Sequence, residues 1–209
     1  MPRPLTLRIT EIFASIQGEG LRTGEPTIFI RLTGCNLCCR FCDTRYAWKG
    51  GQEYPIPRVL EKVQRLRHSY PADWVCLTGG EPLHQEIDAL VRDLRRLRLR
   101  VQVETNGTLF RPARFDWITL SPKPKDYFVR SELIPDVKEI KLVVTKDLAL
   151  STIQNLRKAF PGSIPILLQP QSNWEASFAH ARHLLRQSLN AGLKGVRLSF
   201  QMQKVFGFR

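Results

Sequence analysis

The sequence predicts an α/β fold, an open and partial β/α barrel built on a mainly parallel sheet of about six strands. Short β-branched and apolar runs alternate with helical stripes, the pattern of right-handed β-α-β units. Six or seven such runs with about four helices are too few for an eight-fold barrel. The unusual stretches Gly34-Cys35, Thr78-Gly79-Gly80-Glu81-Pro82, Glu104-Thr105-Asn106-Gly107, Ser121-Pro122-Lys123 and Gln169-Pro170 each follow the C-terminal end of a predicted strand. Parallel β/α architectures gather ligands there, because the loops converge and leave backbone groups free.

Taken in order, strands are expected at 28–32 (IFIRL), 74–78 (WVCLT), 101–105 (VQVET), 117–120 (WITL), 140–144 (IKLVV), 164–169 (IPILLQ) and 196–198 (VRL). Between them, Val59, Leu60, Val63 and Leu66 keep a 3.6-residue stripe, as do Ile87, Leu90, Val91, Leu94 and Leu97. Ile153, Leu156 and Phe160 form a third stripe, and Trp174, Phe178, Ala181, Leu184, Leu185 and Leu189 the last. No repeat, low-complexity tract or linker interrupts the series, so 1–209 reads as one domain.

Composition narrows the class. Hydrophobic residues make up 43% and charged residues 24%, an ordinary globular balance. The N-terminus MPRPLTLRIT lacks the apolar stretch of a signal peptide, and no segment approaches the ~18 apolar residues of a membrane span. The expectation is a soluble cytoplasmic protein, in which clustered cysteines serve metal or redox chemistry rather than disulfides. The net charge of +13 suits an anionic partner. However, the basic residues are spread along the chain, the arginines between Arg92 and Arg100 read as a solvated helix face, and no aromatic-rich binding motif accompanies them. No nucleic acid is needed to explain the charge.

GCNLCCRFCDT, residues 34–44, holds four of the five cysteines. Cys35, Cys38, Cys39 and Cys42 read either as two C-x-x-C pairs or as a C-x-x-x-C-x-x-C trio with Cys38 left over. Structural zinc usually separates its pairs by a loop, whereas here Cys38 and Cys39 are adjacent and their side chains tend to diverge. The trio instead suits a 4Fe-4S cluster held through Cys35, Cys39 and Cys42, with one iron open to a ligand. Cys76, inside an apolar run, reads as a core thiol. His68, His84, His180 and His183 form no metal-ligand grouping, and His180 and His183 read as surface.

This trio, with Phe41 before its last cysteine and GGEP following at Gly79–Pro82, resembles the signature of the radical S-adenosylmethionine (SAM) superfamily. The longer series SIQGEG, GEPTIFIRLTGCN, TGGEP, ETNG, SPK, LQP and RLSFQMQK resembles the 7-carboxy-7-deazaguanine synthase family within it. The resemblance implies the trimmed barrel of the radical SAM type. It also implies that cluster and SAM generate a hydrogen-abstracting radical, and that 6-carboxy-5,6,7,8-tetrahydropterin contracts to 7-carboxy-7-deazaguanine with loss of ammonia.

By motif match, Ile16, Gln17 and Gly18 would hold the pterin edge, much of it through backbone groups. Arg31 would pair with the substrate carboxylate, whose two oxygens match the guanidinium fork. Thr78 and Glu104 would add polar contacts, and Gln203 and the terminal Arg209 would complete the substrate site. Phe41, Cys42, Asp43, Gly80, Ser121, Pro122, Lys123 and Gln169 would line SAM. Thr44 would contribute a hard oxygen to Mg²⁺. An electron donor such as flavodoxin or ferredoxin and a homodimeric state are implied as well.

Three positions depart from the family pattern. Gln203 stands where His is common and cannot titrate near neutrality, Arg209 is the final residue, and Ser172 or Asn173 stands where an acid is expected after Gln169-Pro170. A glycyl-radical activating protein shares the trio but does not explain SIQGEG or Arg31. A zinc-stabilised nucleic-acid binder would explain only the charge.

Overall fold

The computed structural model describes residues 5–208. Among them run strands β1 (Thr6–Ile16), β2 (Pro26–Leu32), β3 (Gln52–Pro55), β4 (Trp74–Gly79), β5 (Arg100–Thr105), β6 (Trp117–Leu120), β7 (Val137–Val144), β8 (Ile166–Pro170) and β9 (Val196–Leu198). All join one open sheet in the order β3-β1-β2-β4-β5-β6-β7-β8-β9. From β2 to β9 every pairing is parallel, while β1 is antiparallel to both β2 and β3. The expected partial barrel is therefore present, extended by β1 and β3 beyond the expected strands.

Helices α1 (Ile56–Ser69), α2 (Asp88–Arg96), α3 (Leu150–Ala159) and α4 (Glu175–Asn190) form the elements the stripes predict, and a short α5 (Met202–Phe206) follows β9. α1 begins with Pro57 in its first turn, where the missing N–H costs nothing, and buries Ile56, Val59 and Val63. Together with Leu90, Val91 and Leu94 of α2, these residues join the strands' apolar side chains in one core.

The α4 stripe is rotated from its expected position. Trp174, just before the helix, and Phe178 and Leu189 within it are exposed, while Ser177, Ala181, Leu184 and Ser188 are buried. The serines satisfy their hydroxyls locally: Ser177 donates to the Val144 carbonyl at 2.7 Å and Ser188 to the Leu184 carbonyl at 2.8 Å. Satisfied, they can face the sheet where an unpaired hydroxyl would be costly. His180 also departs from its surface expectation: it is half-buried, with Nε2 2.9 Å from the Leu148 carbonyl.

The direction of β1 decides the site. Because Ile16 pairs with Pro26, at the start of β2, β1 ends at the opposite end of the sheet from Gly34. The segment after it turns back across the barrel. There the Arg22 guanidinium stacks 3.5 Å above the Trp74 ring and donates to Gln102 Oε1 at 2.5 Å. Leu21 N–H donates to Glu139 Oε2 at 2.6 Å, and Glu139 in turn receives the Thr119 hydroxyl at 2.7 Å. This hydrogen-bonded floor satisfies buried polar groups that would otherwise destabilise the barrel.

Candidate active site

A cleft of about 420 Å³ opens above this floor, within the size range of small-ligand sites. Cys35, Cys39 and Cys42 line it; Cys38 does not. Cys38 is exposed, with the left-handed φ of 46°, and its thiol points back to the Cys35 carbonyl at 3.4 Å. Among the described residues no three His, Cys, Asp or Glu side chains converge on one metal ion. Three separate thiols at one cleft suit a polynuclear cluster, whose irons each take their own thiolate.

The loops around the thiols are tied to one another. Gly79, at φ +133°, and Gly80 lie so close to the β2 end that a Cβ on either would meet the backbone of Leu32 or Gly34. Gly80 N–H donates to the Leu32 carbonyl at 3.1 Å and Glu81 N–H to the Gly34 carbonyl at 2.8 Å. The buried Glu81 carboxylate then receives the Thr105 hydroxyl and Asn106 N–H, each at 2.7 Å. Burial pushes its pKa up against these hydrogen bonds. Asn106 donates to Asn36 Oδ1 at 3.1 Å, so GGEP, ETNG and the cysteine loop form one unit.

Arg31 lies between the rings of Phe13 and Tyr46, at 5.6 and 5.8 Å, and its Nε donates to Glu11 Oε1 at 2.6 Å. The ion pair uses Nε, so the terminal nitrogens remain the part of the fork that a ligand carboxylate can engage. Gln17 Nε2 donates to Gln102 Oε1 at 3.0 Å and Glu104 Oε1 at 3.1 Å, and its main-chain groups pair with Glu25 and Gly24. Gln17 thus shapes the site chiefly by holding other groups in place.

Lys141 is buried between Glu19 Oε2 at 2.5 Å and Glu104 Oε2 at 3.0 Å. Burial alone would favour its neutral form, but the two carboxylates outweigh this and raise its pKa. Glu19 is the counterpart: burial would lift its carboxyl, yet Lys141 and the amides of Gln169 and Gln201 hold it well below the usual range. Lys123, whose Nζ lies 2.5 Å from Ser121 Oγ, has its pKa lowered by burial and by nearby Lys141. Burial raises the Cys39 thiol, with Lys123 opposing.

Ile16, Gly18, Thr78, Gly80, Phe41, Asp43, Thr44, Ser121, Lys123, Gln169 and Gln203 line the same cleft as Gln17, Arg31, Glu104 and the cysteines. Pro122 does not line it, and Arg209 lies outside the described residues. Thr44 donates to Asp43 Oδ1 at 3.1 Å, and Asp43 Oδ2 receives Lys204 at 2.7 Å and Gln201 at 3.0 Å. Glu19, Lys141 and Gln201 are the important side chains absent from the sequence reading. A signal for Lys141 was available: it is the one charge within the apolar run 140–144 (IKLVV), between Ile140 and Leu142, both buried.

Donor chemistry supports occupancy by a cluster and a polar ligand: three accessible thiols, a lysine beside them, and two buried atoms without partners, Trp48 Nε1 and Gln203 Oε1, on cleft-lining residues. The fold and this site define a radical SAM enzyme, and the Radical SAM superfamily model matches residues 29–183. The chain is 34% identical to 7-carboxy-7-deazaguanine synthase of Rickettsia prowazekii, over 96% of this chain and 88% of that protein. It is 36% identical to the same enzyme of Rhodospirillum rubrum, over 96% and 92%. The crystal structure of QueE from Escherichia coli superposes with TM-score 0.78 at 28% identity, covering 94% of each chain. The chain belongs to the 7-carboxy-7-deazaguanine synthase family of the radical SAM superfamily, which carries a 4Fe-4S cluster and SAM. Among the described residues no helix is long and apolar enough to cross a membrane.

Proposed function

We propose that this enzyme contracts 6-carboxy-5,6,7,8-tetrahydropterin to 7-carboxy-7-deazaguanine with release of ammonia, a step of queuosine and other 7-deazapurine biosynthesis. The observation that carries this reading is the convergence of Arg31, Gln17, Glu104 and Gln203 on the cleft lined by the cysteine trio. When bound, the cluster and SAM supply one-electron cleavage and hydrogen abstraction; the chain supplies position.

Cys35, Cys39 and Cys42 hold the cluster. Phe41, Cys42, Asp43, Gly80, Ser121, Lys123 and Gln169 hold SAM, with Lys123 contributing a half-buried amine; Pro122 stands outside the cleft lining. Arg31 grips the substrate carboxylate from a guanidinium already oriented by Glu11. Ile16, Gln17, Gly18, Thr78, Glu104 and Gln203 hold the pterin, and only the family resemblance assigns Arg209 to this site. Thr44 offers a hydroxyl oxygen to Mg²⁺, whose other ligands come from substrate and water.

An external donor such as flavodoxin or ferredoxin delivers the electron, and the protein's net charge of +13 supports an acidic one. Exposed Leu198, Phe200, Val205, Phe206 and Phe208, near the β9 edge and α5, support a homodimer. The deciding experiment is anaerobic turnover of carboxytetrahydropterin with SAM, Mg²⁺ and a reductant. Deazaguanine product with SAM used catalytically is expected. No product from cluster-replete enzyme would overturn the reading.

A further inference from the structure

Glu19 is the acidic residue of SIQGEG, and its carboxylate receives four side-chain donors. Lys141 Nζ at 2.5 Å and Gln169 Nε2 at 2.9 Å meet Oε2; Gln201 Nε2 at 2.8 Å and Gln203 Nε2 at 3.0 Å meet Oε1. These donors come from β7, β8, the turn after β9, and α5. An ionised carboxylate only accepts hydrogen bonds, so every amide facing it must turn its NH₂ inward and its carbonyl away. The Gln201 carbonyl then receives Lys204 at 2.7 Å. The Gln203 carbonyl is buried and has no partner. It lies over Gly18, in the space a Cβ there would need. Rotating the amide would bring its oxygen against the carboxylate, so this orientation is locked.

We propose that Glu19 is a positioning residue for substrate recognition: by locking the Gln203 amide it leaves Oε1 as a buried acceptor that selects a ring N–H donor on the ligand edge lying over Gly18. This rests on the reading of the cleft as a pterin site. A buried acceptor without a partner is costly, and a ligand N–H relieves that cost. A pterin edge bearing a carbonyl or a C–H at this position does not.

The test measures binding rather than turnover, using anaerobic titration of carboxytetrahydropterin into cluster- and SAM-loaded enzyme. Gln203→Met fills similar space without an acceptor and is expected to weaken binding about tenfold. Glu19→Gln lets the Gln203 amide rotate and is expected to weaken it comparably. The double variant should lose less than the sum of the two single losses, because part of the Glu19 effect runs through the Gln203 amide. Gln203→His, which restores a ring nitrogen acceptor, should recover part of the loss. Rates at saturating substrate should fall much less than affinity does.

Undiminished binding by folded, iron-replete Gln203→Met overturns the proposal, as does a double variant whose losses add. If Glu19→Gln does not fold, Gln203→Met and its His counterpart still decide. Failure of the unaltered enzyme to bind the pterin removes the reading of the cleft, and the proposal with it. That outcome is distinct from normal binding that ignores Gln203.

Discussion

The Gln203 side chain occupies the space that a Cβ on Gly18 would require, and Met202 N–H donates to the Gly18 carbonyl at 2.9 Å. SIQGEG and the closing RLSFQMQK thus meet in space, at one wall of the cleft.

Gly18→Ala should therefore push the C-terminal segment off this wall. Overpacking of this kind costs about 1–3 kcal/mol. Hydrogen exchange should become faster in residues 199–208 while the parallel strands remain protected. Unchanged exchange there would mean that Gln203 relocates without strain.

Replacing Cys35, Cys39 or Cys42 with Ala should each lose most bound iron and sulfide after anaerobic reconstitution, and abolish turnover. Cys38→Ala should retain both, because its thiol faces away from the cleft toward the Cys35 carbonyl. If Cys38→Ala and Cys39→Ala lose iron alike, the trio assignment fails.

Arg31→Lys keeps the charge but has one ammonium for both Glu11 and the ligand. Hydrogen bonds to charged groups contribute roughly 1.5–3 kcal/mol each. The substrate constant should rise at least about tenfold, and at least as far in Arg31→Ala, with iron content unaltered. An unchanged Michaelis constant would place the carboxylate elsewhere.

Gly79→Ala should be the more damaging of the two glycine changes in GGEP, since it combines a φ of +133° with a collision against Leu32 backbone. Gly80→Ala meets the Gly34 carbonyl and Cys35 Cβ about as closely, but without a left-handed φ to add strain. Thermal unfolding of both variants checks the ranking, and a smaller drop for Gly79→Ala would contradict it.

Glu19 is held below its ordinary pKa in the folded protein, chiefly because Lys141 and the amides outweigh burial. Its contribution to stability is therefore fully present above the unfolded glutamate value, about pH 4.3, and is lost as pH falls toward the folded value. Lys141 is raised, so its contribution is present below about pH 10.4 and is lost as pH climbs through its folded value. The difference in melting temperature between the parent protein and Glu19→Gln should be level from about pH 5 to 8 and shrink in stronger acid. A difference that widens in acid would reverse the assigned sign.

Much of this protein was legible in the sequence because local spacing reports local geometry. The parallel strands, β2 and β4 to β9, are short, mainly apolar runs, as strands of a covered parallel sheet must be, whereas the polar edge strand β3 gave no such signal. Their C-terminal loops announced themselves through Gly, Pro and the cysteine spacing. The β1 segment, TLRITEIFASI, did not enter the expected strand set, and its antiparallel course sends SIQGEG back across the barrel. GGEP was expected at a ligand-gathering strand end, with Gly80 lining SAM; the fold uses its glycines first to bring the ends of β2 and β4 together. The α4 stripe turned because two serines can pair their hydroxyls beside the sheet. Glu19 and Gln203 are 184 positions apart, and their contact exists only because the open sheet curls until its first and last segments meet. Periodicity and spacing reveal which face of an element is buried, but not which distant side chains closure will bring onto one carboxylate.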